Sequence, residues 1–543
     1  GVSALAQDQN AFLIKFNYKG TTLDPALEFT PKAIDRRSKF SIPFDSLDYP
    51  VNLNFVTNIL NDSSLQLRYA LKWHNAIVVN TAKESLKPLE DLDYVSKVYY
   101  VGQTKAMNNT QQQPYYSPVK KLKESAMPTQ QLSETDYGKA YAQNKQIEVT
   151  ELHKLGYDGS NITAAVFDAG FNNIDIIPAF MKHQANNKLM FGYDWVDVDS
   201  VFNKADNHGT AVTSCFGAYD KGRYIGSGPG THLILFRTEY GRTEYPIEEL
   251  NWCKAAETAD YIGVDMITSS LGYNQYDDQS LSYTHPDLDG TTSYVSLAAR
   301  TAVNKGIFVL NSAGNEGDSK WFKIGTPADV EEVLTVGAVD KNNKIGSFSS
   351  KGYTADGRIK PDVCALGVKA TVASSYGSYY QGYGTSYATP VAAGGVACLL
   401  QAFPNKRPQE IAQAIRITAS NNNNPDSLQG YGTAKLKTAY DFLQRDTKSK
   451  PEILKATKEE LTLFLGDYSD ITLNISRKVK VFWFIKKKKT VYNSLIVNQK
   501  AVSHIDLSAS GINCRKNYTI KLKFLNDVEN YTLKKNDLYF CSD

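Results

Sequence analysis

A mostly parallel α/β sheet with helices on both faces is the fold class that residues 141–445 predict. A small α+β unit at 1–105, a linker at 106–140 and a β-sandwich-like unit at 446–543 flank it. Two observations carry this reading. First, apolar runs of strand length at 162–167, 231–236, 264–270, 307–310 and 333–339 are interleaved with helix-like segments at 250–262, 292–305 and 386–403. Strands that read as continuous apolar runs are buried on both faces, and the helices between them make the crossovers that parallel neighbours need. Second, the chain has 543 residues, 42% hydrophobic and 22% charged, a globular composition with room for about three domains of roughly 100–200 residues.

The elements follow in order. Gly1-Val2-Ser3-Ala4-Leu5-Ala6-Gln7 carries small residues spaced like a signal-peptidase site, which fits either the remnant of a secretory leader or a tag scar. Phe12, Ile14, Phe16 and Tyr18 alternate with Leu13, Lys15 and Asn17, the period of a half-buried strand; a second strand is expected over 73–79. Leu92, Val95 and Val98 suit either a helical turn ending in a strand or an irregular edge. Around Asn108-Asn109-Thr110-Gln111-Gln112-Gln113-Pro114 and Lys120-Lys121-Leu122-Lys123 little apolar surface can be buried. That stretch reads as a linker or an exposed strap open to proteolysis. Beyond 446, Leu461, Leu463 and Leu465, then Ile471, Leu473 and Ile475, keep a two-residue period, and the Lys486–Lys489 run reads as a solvated turn or strand edge.

Composition excludes several classes. Sixty basic against 57 acidic residues give a net charge of +3, no broad field for nucleic acid. No stretch approaches 18 uninterrupted apolar residues, so no membrane-spanning helix is expected. The six cysteines form no CxxC pair and do not settle the compartment. Cys364 and Cys398 read as buried small apolar residues, and Cys514 and Cys541 are placed to pair across the last strands. Seven scattered histidines without HExxH argue against metal-dependent chemistry.

Four segments carry the chemistry. Ala165-Val166-Phe167-Asp168-Ala169-Gly170 ends an apolar strand on an aspartate, and Asn207-His208-Gly209-Thr210-Ala211 opens a small-residue helix on a histidine. Ser312-Ala313-Gly314-Asn315-Glu316-Gly317 sets an amide in a loop after a buried strand, and Gly384-Thr385-Ser386-Tyr387-Ala388-Thr389-Pro390 opens an Ala/Gly-rich helix. Each alone is an ordinary turn or cap. Together they supply a hydroxyl, an imidazole to take its proton, and a carboxylate to hold that imidazole in one tautomer. Asn315 adds a neutral donor for the oxygen that becomes charged in acyl transfer, and the Ser386 N–H at a helix start adds a second.

The order Asp168, His208, Ser386 and the segments around them resemble the subtilisin-like serine peptidases over about residues 140–445. Asp168-Ala169-Gly170 resembles that family's D-[ST]-G, His208-Gly209-Thr210 its H-G-T, Gly384-Thr385-Ser386-Tyr387-Ala388-Thr389-Pro390 its serine segment, and Lys360-Pro361-Asp362-Val363 its K-P-D-[VI] run. Ala169 replaces the usual Ser or Thr, and Tyr387 stands where Met is frequent. The resemblance implies a subtilisin-like three-layer fold and a serine endopeptidase acting through an acyl-enzyme. Its catalytic residues would be Asp168, His208, Ser386 and Asn315. Substrate would pair with Ser269, Ser270, Leu271 and Gly272, and Ser312, Ala313 and Gly314 would line the first specificity pocket. It further implies that residues 1–105 are an inhibitory propeptide, cut off somewhere in 105–140 with the Lys120–Lys123 lysines as one candidate site. Export is implied, secreted, periplasmic or to a bacterial cell surface, with the C-terminal unit as a sorting signal or binding module. No cofactor is required for the chemistry; structural calcium is an option, with Asp277-Asp278 and the group Asp194, Asp197, Asp199 and Asp206 as candidate ligands. A non-catalytic binding or adhesion protein on the same scaffold is the alternative that Ala169 and the C-terminal unit leave open.

Overall fold

The computed structural model describes residues 9–104, 132–200 and 206–444, together with strands between 452 and 533. The expected leader remnant, the Lys120–Lys123 site and Cys514 and Cys541 lie outside the described residues. The first unit is an antiparallel sheet in the order β2-β3-β1-β4, built from β1 (Gln9–Phe16), β2 (Gln66–Leu71), β3 (Ala76–Thr81) and β4 (Val95–Thr104). Helices α1 (Pro31–Lys39) and α2 (Leu53–Leu60) connect β1 to β2. The strand expected over 73–79 starts later, at Ala76, because residues 72–75 turn the chain from β2 into β3. Leu92 follows a short 3₁₀ turn, Lys87–Asp91, and Val95 opens β4, so of the two readings the turn-then-strand one describes this segment.

One face of this sheet, with Phe12, Ile14 and Phe16, packs on Val56 and Ile59 of α2. The two-residue period marks one face alone as apolar, yet Ala11, Leu13 and Val78 on the other are fully buried too. The reason is a second body against it: Leu13, Tyr69, Leu71 and Trp73 share one apolar cluster with residues of the large domain.

That domain is built on seven parallel strands: β5 (Thr163–Asp168), β6 (Leu189–Asp194), β7 (His232–Arg237), β8 (Met266–Ser269), β9 (Phe308–Ser312), β10 (Leu334–Val339) and β11 (Val363–Leu366). Their spatial order is β11-β10-β9-β8-β5-β7-β6. Its helices include α3 (His208–Gly217), α4 (Ile247–Ile262), α5 (Tyr294–Asn304), α6 (Thr385–Ala402), α7 (Pro408–Thr418) and α8 (Leu436–Leu443). Alternate strand residues face opposite layers. Val166, Leu235 and Leu310 join α3, α6, α7 and α8, whereas Phe167, Phe236 and Val309 join α4 and α5. This is the three-layer fold expected from the sequence.

The chain runs from β5 out to the β6 edge, returns through β7, and crosses β5 to continue with β8. Strand order therefore reverses around β5, where an open α/β sheet leaves a crevice at its carboxyl ends. Helix α4 departs from the amphipathic pattern read over 250–262: Glu248, Glu249, Glu257 and Asp260 are all buried. The first unit covers its outer face. Trp73 N–H donates to Glu257 at 2.8 Å, and Arg36 and Arg37 both reach Asp260, Arg37 at 2.7 Å.

Past residue 450, the described strands form two antiparallel sheets, of three and four strands. Ile485–Ile496, which contains the four lysines, is an edge strand of the larger sheet. Among the described residues no helix is long and apolar enough to cross a membrane.

Candidate active site

Asp168 is the last residue of β5 and fully buried, with its neighbours β7 and β8 on either side of the reversal point. Its Oδ1 accepts the Ala169 N–H at 2.8 Å and lies 2.8 Å from His208 Nδ1. His208 opens α3, its own N–H donating to Asp206 Oδ1 at 2.8 Å. The two segments meet backbone to backbone: a Cβ on Gly209 would come within 2.4 Å of the Gly170 carbonyl oxygen, so only glycine lets α3 approach this closely. Burial disfavours the His208 cation, but the Asp168 charge, its hydrogen bond and the Asp206 charge outweigh it and raise the imidazole pKa above its ordinary value.

Ser386 sits in the first turn of α6, 7% exposed. Its hydroxyl lies 3.4 Å from the Ser270 carbonyl rather than on the imidazole, and the Ser386 carbonyl accepts the Ser270 hydroxyl at 2.9 Å. The next residue, Tyr387, brings its ring to 6.1 Å from the His208 ring, so the imidazole stands beside the start of α6.

Asn315 completes the group. Its Oδ1 accepts the Thr385 N–H at 2.9 Å and the Thr385 hydroxyl at 3.0 Å. A backbone N–H can only donate, so the amide oxygen faces Thr385 and Nδ2 is left to point elsewhere. Gly314 makes the turn possible: it has φ +105°, and an added Cβ would lie 2.7 Å from Ser350 Oγ. Thr385 was part of the serine segment in the sequence, but its clamp on Asn315 needs the fold to be seen.

Residues 159–432, half of the chain, match the subtilase family model. The chain belongs to the subtilase family. Residues 11–116 match the Peptidase S8 propeptide domain of Bacteroidota. Similar curated proteins include the serine protease AprX of Bacillus subtilis (strain 168), 32% identical over 288 residues, 48% of this chain and 61% of that one. Subtilisin from Bacillus pumilus is 29% identical over 282 residues, 51% of this chain and 90% of its own. The chain spans 61–65% of the length of the first curated relatives it matches. Among solved structures, the epidermin leader peptide processing serine protease of Staphylococcus aureus shares the fold, with a TM-score of 0.52 and 16% identity over 81% of this chain and all of that one.

In this subtilase, Ser269 is turned inward, its Oγ accepting the Trp252 indole N–H at 3.0 Å. The Leu271 carbonyl is occupied by Asn311 Nδ2 at 2.8 Å and Ser312 Oγ at 3.3 Å. Gly272 is exposed, and Tyr273 beyond it pairs with Thr326. Ser312 and Ala313 are buried, whereas Gly314 is half-buried. The expected substrate segment thus presents Gly272 outward and keeps Ser269 and the Leu271 carbonyl for internal bonds.

Among the described residues, the acidic candidates for calcium do not gather their carboxylates into one group. Asp194 and Asp197 share the Arg237 guanidinium at 2.8 and 2.9 Å, so an arginine already stands where these two carboxylates meet. Asp206 holds the His208 N–H, Asp277 accepts the Glu244 N–H, and Asp278 caps the 3₁₀ turn Gln279–Leu281. Lys360 and Asp362 form a buried ion pair at 2.7 Å, joined by Arg416, which anchors the start of β11. Cys215, Cys253, Cys364 and Cys398 are free and buried, and burial pushes every one of these thiols up, Cys215 to about 12. None of these four buried thiols is set up to ionise as a nucleophile.

Proposed function

We propose that this subtilase is a serine endopeptidase, made as a zymogen, that hydrolyses peptide bonds in extended polypeptides. Ser386 Oγ is the nucleophile. Rotation about its χ1 carries the hydroxyl from the Ser270 carbonyl to His208, which takes its proton during attack on the scissile carbonyl. Asp168 fixes Nδ1–H and balances the imidazolium, leaving the other ring nitrogen to act as base. The carbonyl oxygen becomes an oxyanion held by Asn315 Nδ2 and the Ser386 N–H. The acyl group passes to Ser386 as His208 gives its proton to the leaving amine. A water then attacks the ester as His208 takes its proton; the bond to Ser386 Oγ breaks, His208 returns that proton to Oγ, and the second product leaves as a carboxylic acid.

Substrate lies in extended form along Ser270–Gly272, so backbone bonds supply affinity and alternate side chains enter pockets. The Ser312–Gly314 segment walls the first of these. Residues 11–104 dock as an intramolecular propeptide whose covalent attachment gives it a high effective concentration. Action outside the cytoplasm, secreted or at a cell surface, fits a protease carrying such a restraint. The observation that carries the reading is the 2.8 Å Asp168–His208 contact next to a helix start bearing Ser386, with the Asn315 amide locked by Thr385.

Ser386→Ala is expected to abolish peptide hydrolysis and leave the full-length chain uncut, with an unchanged circular dichroism spectrum. Hydrolysis at the parent rate would remove Ser386 from the mechanism. Asn315→Ala is expected to lower turnover by about 10²–10³, the scale of one lost oxyanion donor, which the worked case of subtilisin supplies.

A further inference from the structure

The larger C-terminal sheet concentrates like charge at one end. Its edge strand β13 (Ile485–Ile496) pairs with β12 (Ile471–Phe482), and β14 (Tyr518–Phe524) is the next strand inward. The pairing of β14 with β12 runs only from Thr472 to Ser476. Beyond Ser476, among the described residues, β12 pairs with β13 alone, so the two continue past the sheet as a two-stranded ribbon. Residues 477–489 hold seven cations. The register sets Arg477 opposite Lys489, Lys478 opposite Lys488 and Lys480 opposite Lys486, with Lys487 opposite Val479. The sequence has no Asp or Glu between Asp470 and Asp506. Where the strands meet, Phe482 pairs with Ile485, and Trp483-Phe484 stands between them in the sequence.

Lysines on an edge strand guard against unwanted strand pairing, but that task does not call for cations opposite cations. Like charges directly opposite weaken a strand pair, and a two-stranded ribbon is marginal to begin with. The ribbon therefore gives up pairing stability at three cross-strand pairs, a cost that a polyanionic surface would offset. The apolar end selects the class of polyanion. Val481-Phe482-Trp483-Phe484-Ile485 is an unbroken apolar block with three aromatics, bracketed by the cations. A bilayer surface offers the same order of layers, anionic headgroups first and an apolar boundary beneath, and Trp is enriched at that boundary. Segments that combine Lys with Trp and Phe partition there, drawn by both terms together. Nucleic acid would meet the charge but has no apolar layer for an unbroken block of this kind.

We propose that the 477–489 ribbon is a docking surface for an anionic lipid bilayer and holds this subtilase at a membrane face. The cations meet the headgroups, and the 481–485 block enters the boundary below them. Attachment of this kind is peripheral and independent of Ser386.

The test uses the full chain carrying Ser386→Ala, so that it stays uncut, sedimented with lipid vesicles. Vesicles of phosphatidylcholine alone are compared with vesicles containing about 30% phosphatidylglycerol. Binding to the anionic vesicles, little to the neutral ones, and release by about 0.5 M NaCl are expected. One lysine near an anionic surface strengthens partitioning about fivefold, so Lys486→Gln with Lys488→Gln should weaken it about 25-fold. That double variant relieves two like-charge pairs, so it should fold at least as well as the parent, which its Tm checks. Trp73, Trp195, Trp252 and Trp321 are buried, so a brominated lipid in the bilayer should quench Trp483 emission, and Trp483→Phe should abolish that quenching. Equal partitioning onto both vesicle types, or unchanged partitioning of the folded lysine variant, would overturn the assignment. So would salt-sensitive capture of a DNA duplex or single strand by a chain that leaves the anionic vesicles free. None of these outcomes bears on peptide hydrolysis, so the two proposals fail separately.

Discussion

The His208 imidazole is pulled down by burial and up by Asp168 and Asp206, and the upward pull prevails. Only the neutral ring can take the Ser386 proton, so kcat/KM is expected to rise with pH through one ionisation lying above the ordinary histidine value. Asp168→Asn should remove the larger part of that upward pull, leaving that of Asp206, and cut turnover by about four orders of magnitude. A profile flat between pH 5 and 9 would take His208 out of the base role. Asp168 also carries the mark of an altered motif. Its Oδ2 is buried and accepts from no described group, and Ala169 stands where the family's hydroxyl would be. Ala169→Ser is expected to give Oδ2 a donor and stabilise the chain by about 0.5–1.5 kcal/mol, the net worth of one hydrogen bond, with turnover equal or higher. A drop in Tm would show that Oδ2 is satisfied some other way.

At the scale of elements, α4 shows what the sequence could and could not reveal. The buried parallel strands were legible because both faces are apolar, which leaves continuous runs such as Ala164–Phe167. Strand β6 was not, since its edge position leaves Phe191 and Gly192 partly open and breaks the run. Helix α4 read as amphipathic, yet its polar face is buried under the first unit, which no local pattern announces. The side chains of the proposed site were legible for another reason: each stands in a short segment of fixed neighbours.

The same interface gives a test. Asp260 accepts from both Arg36 and Arg37, and Arg37 also pairs with Asp48 at 2.8 Å, all of them buried. Removing one partner of a buried pair typically costs about 3–5 kcal/mol, because the other charge stays behind. Asp260→Ala should loosen the propeptide unit by an amount of that order, seen as faster amide exchange in α1 and a lower midpoint in urea. An unchanged midpoint would mean that this network does not hold the unit in place.

At the scale of the whole molecule, the propeptide unit and the subtilase domain share an apolar cluster, so they are expected to unfold together. Four buried histidines make that unfolding acid-sensitive. Burial lowers His74, His153 and His232 to about 4 and His183 to about 3. Each is neutral when folded and charges on unfolding below its unfolded value of about 6.5. The unfolded state therefore binds the extra proton, and stability is full above that pH. Each then loses about 1.4 kcal/mol per pH unit as the pH falls toward its folded pKa. His74 lies in the interface itself, against Cys253 at 3.3 Å and the Tyr294 ring, so its loss falls on docking. The urea midpoint should drop steeply between pH 6.5 and 4, and His74→Gln should soften the slope. An equal slope in that variant would place the acid sensitivity elsewhere.

The central claim is that Ser386 is an activated nucleophile, and covalent labelling tests it most directly. The chain, freed of its N-terminal unit, is treated with a peptidyl phosphonate and analysed by intact and peptide mass spectrometry. One adduct on Ser386 is expected, lost in His208→Ala and blocked by a saturating peptide substrate. An unlabelled Ser386 in a folded, substrate-accessible chain, or equal labelling in His208→Ala, would contradict it.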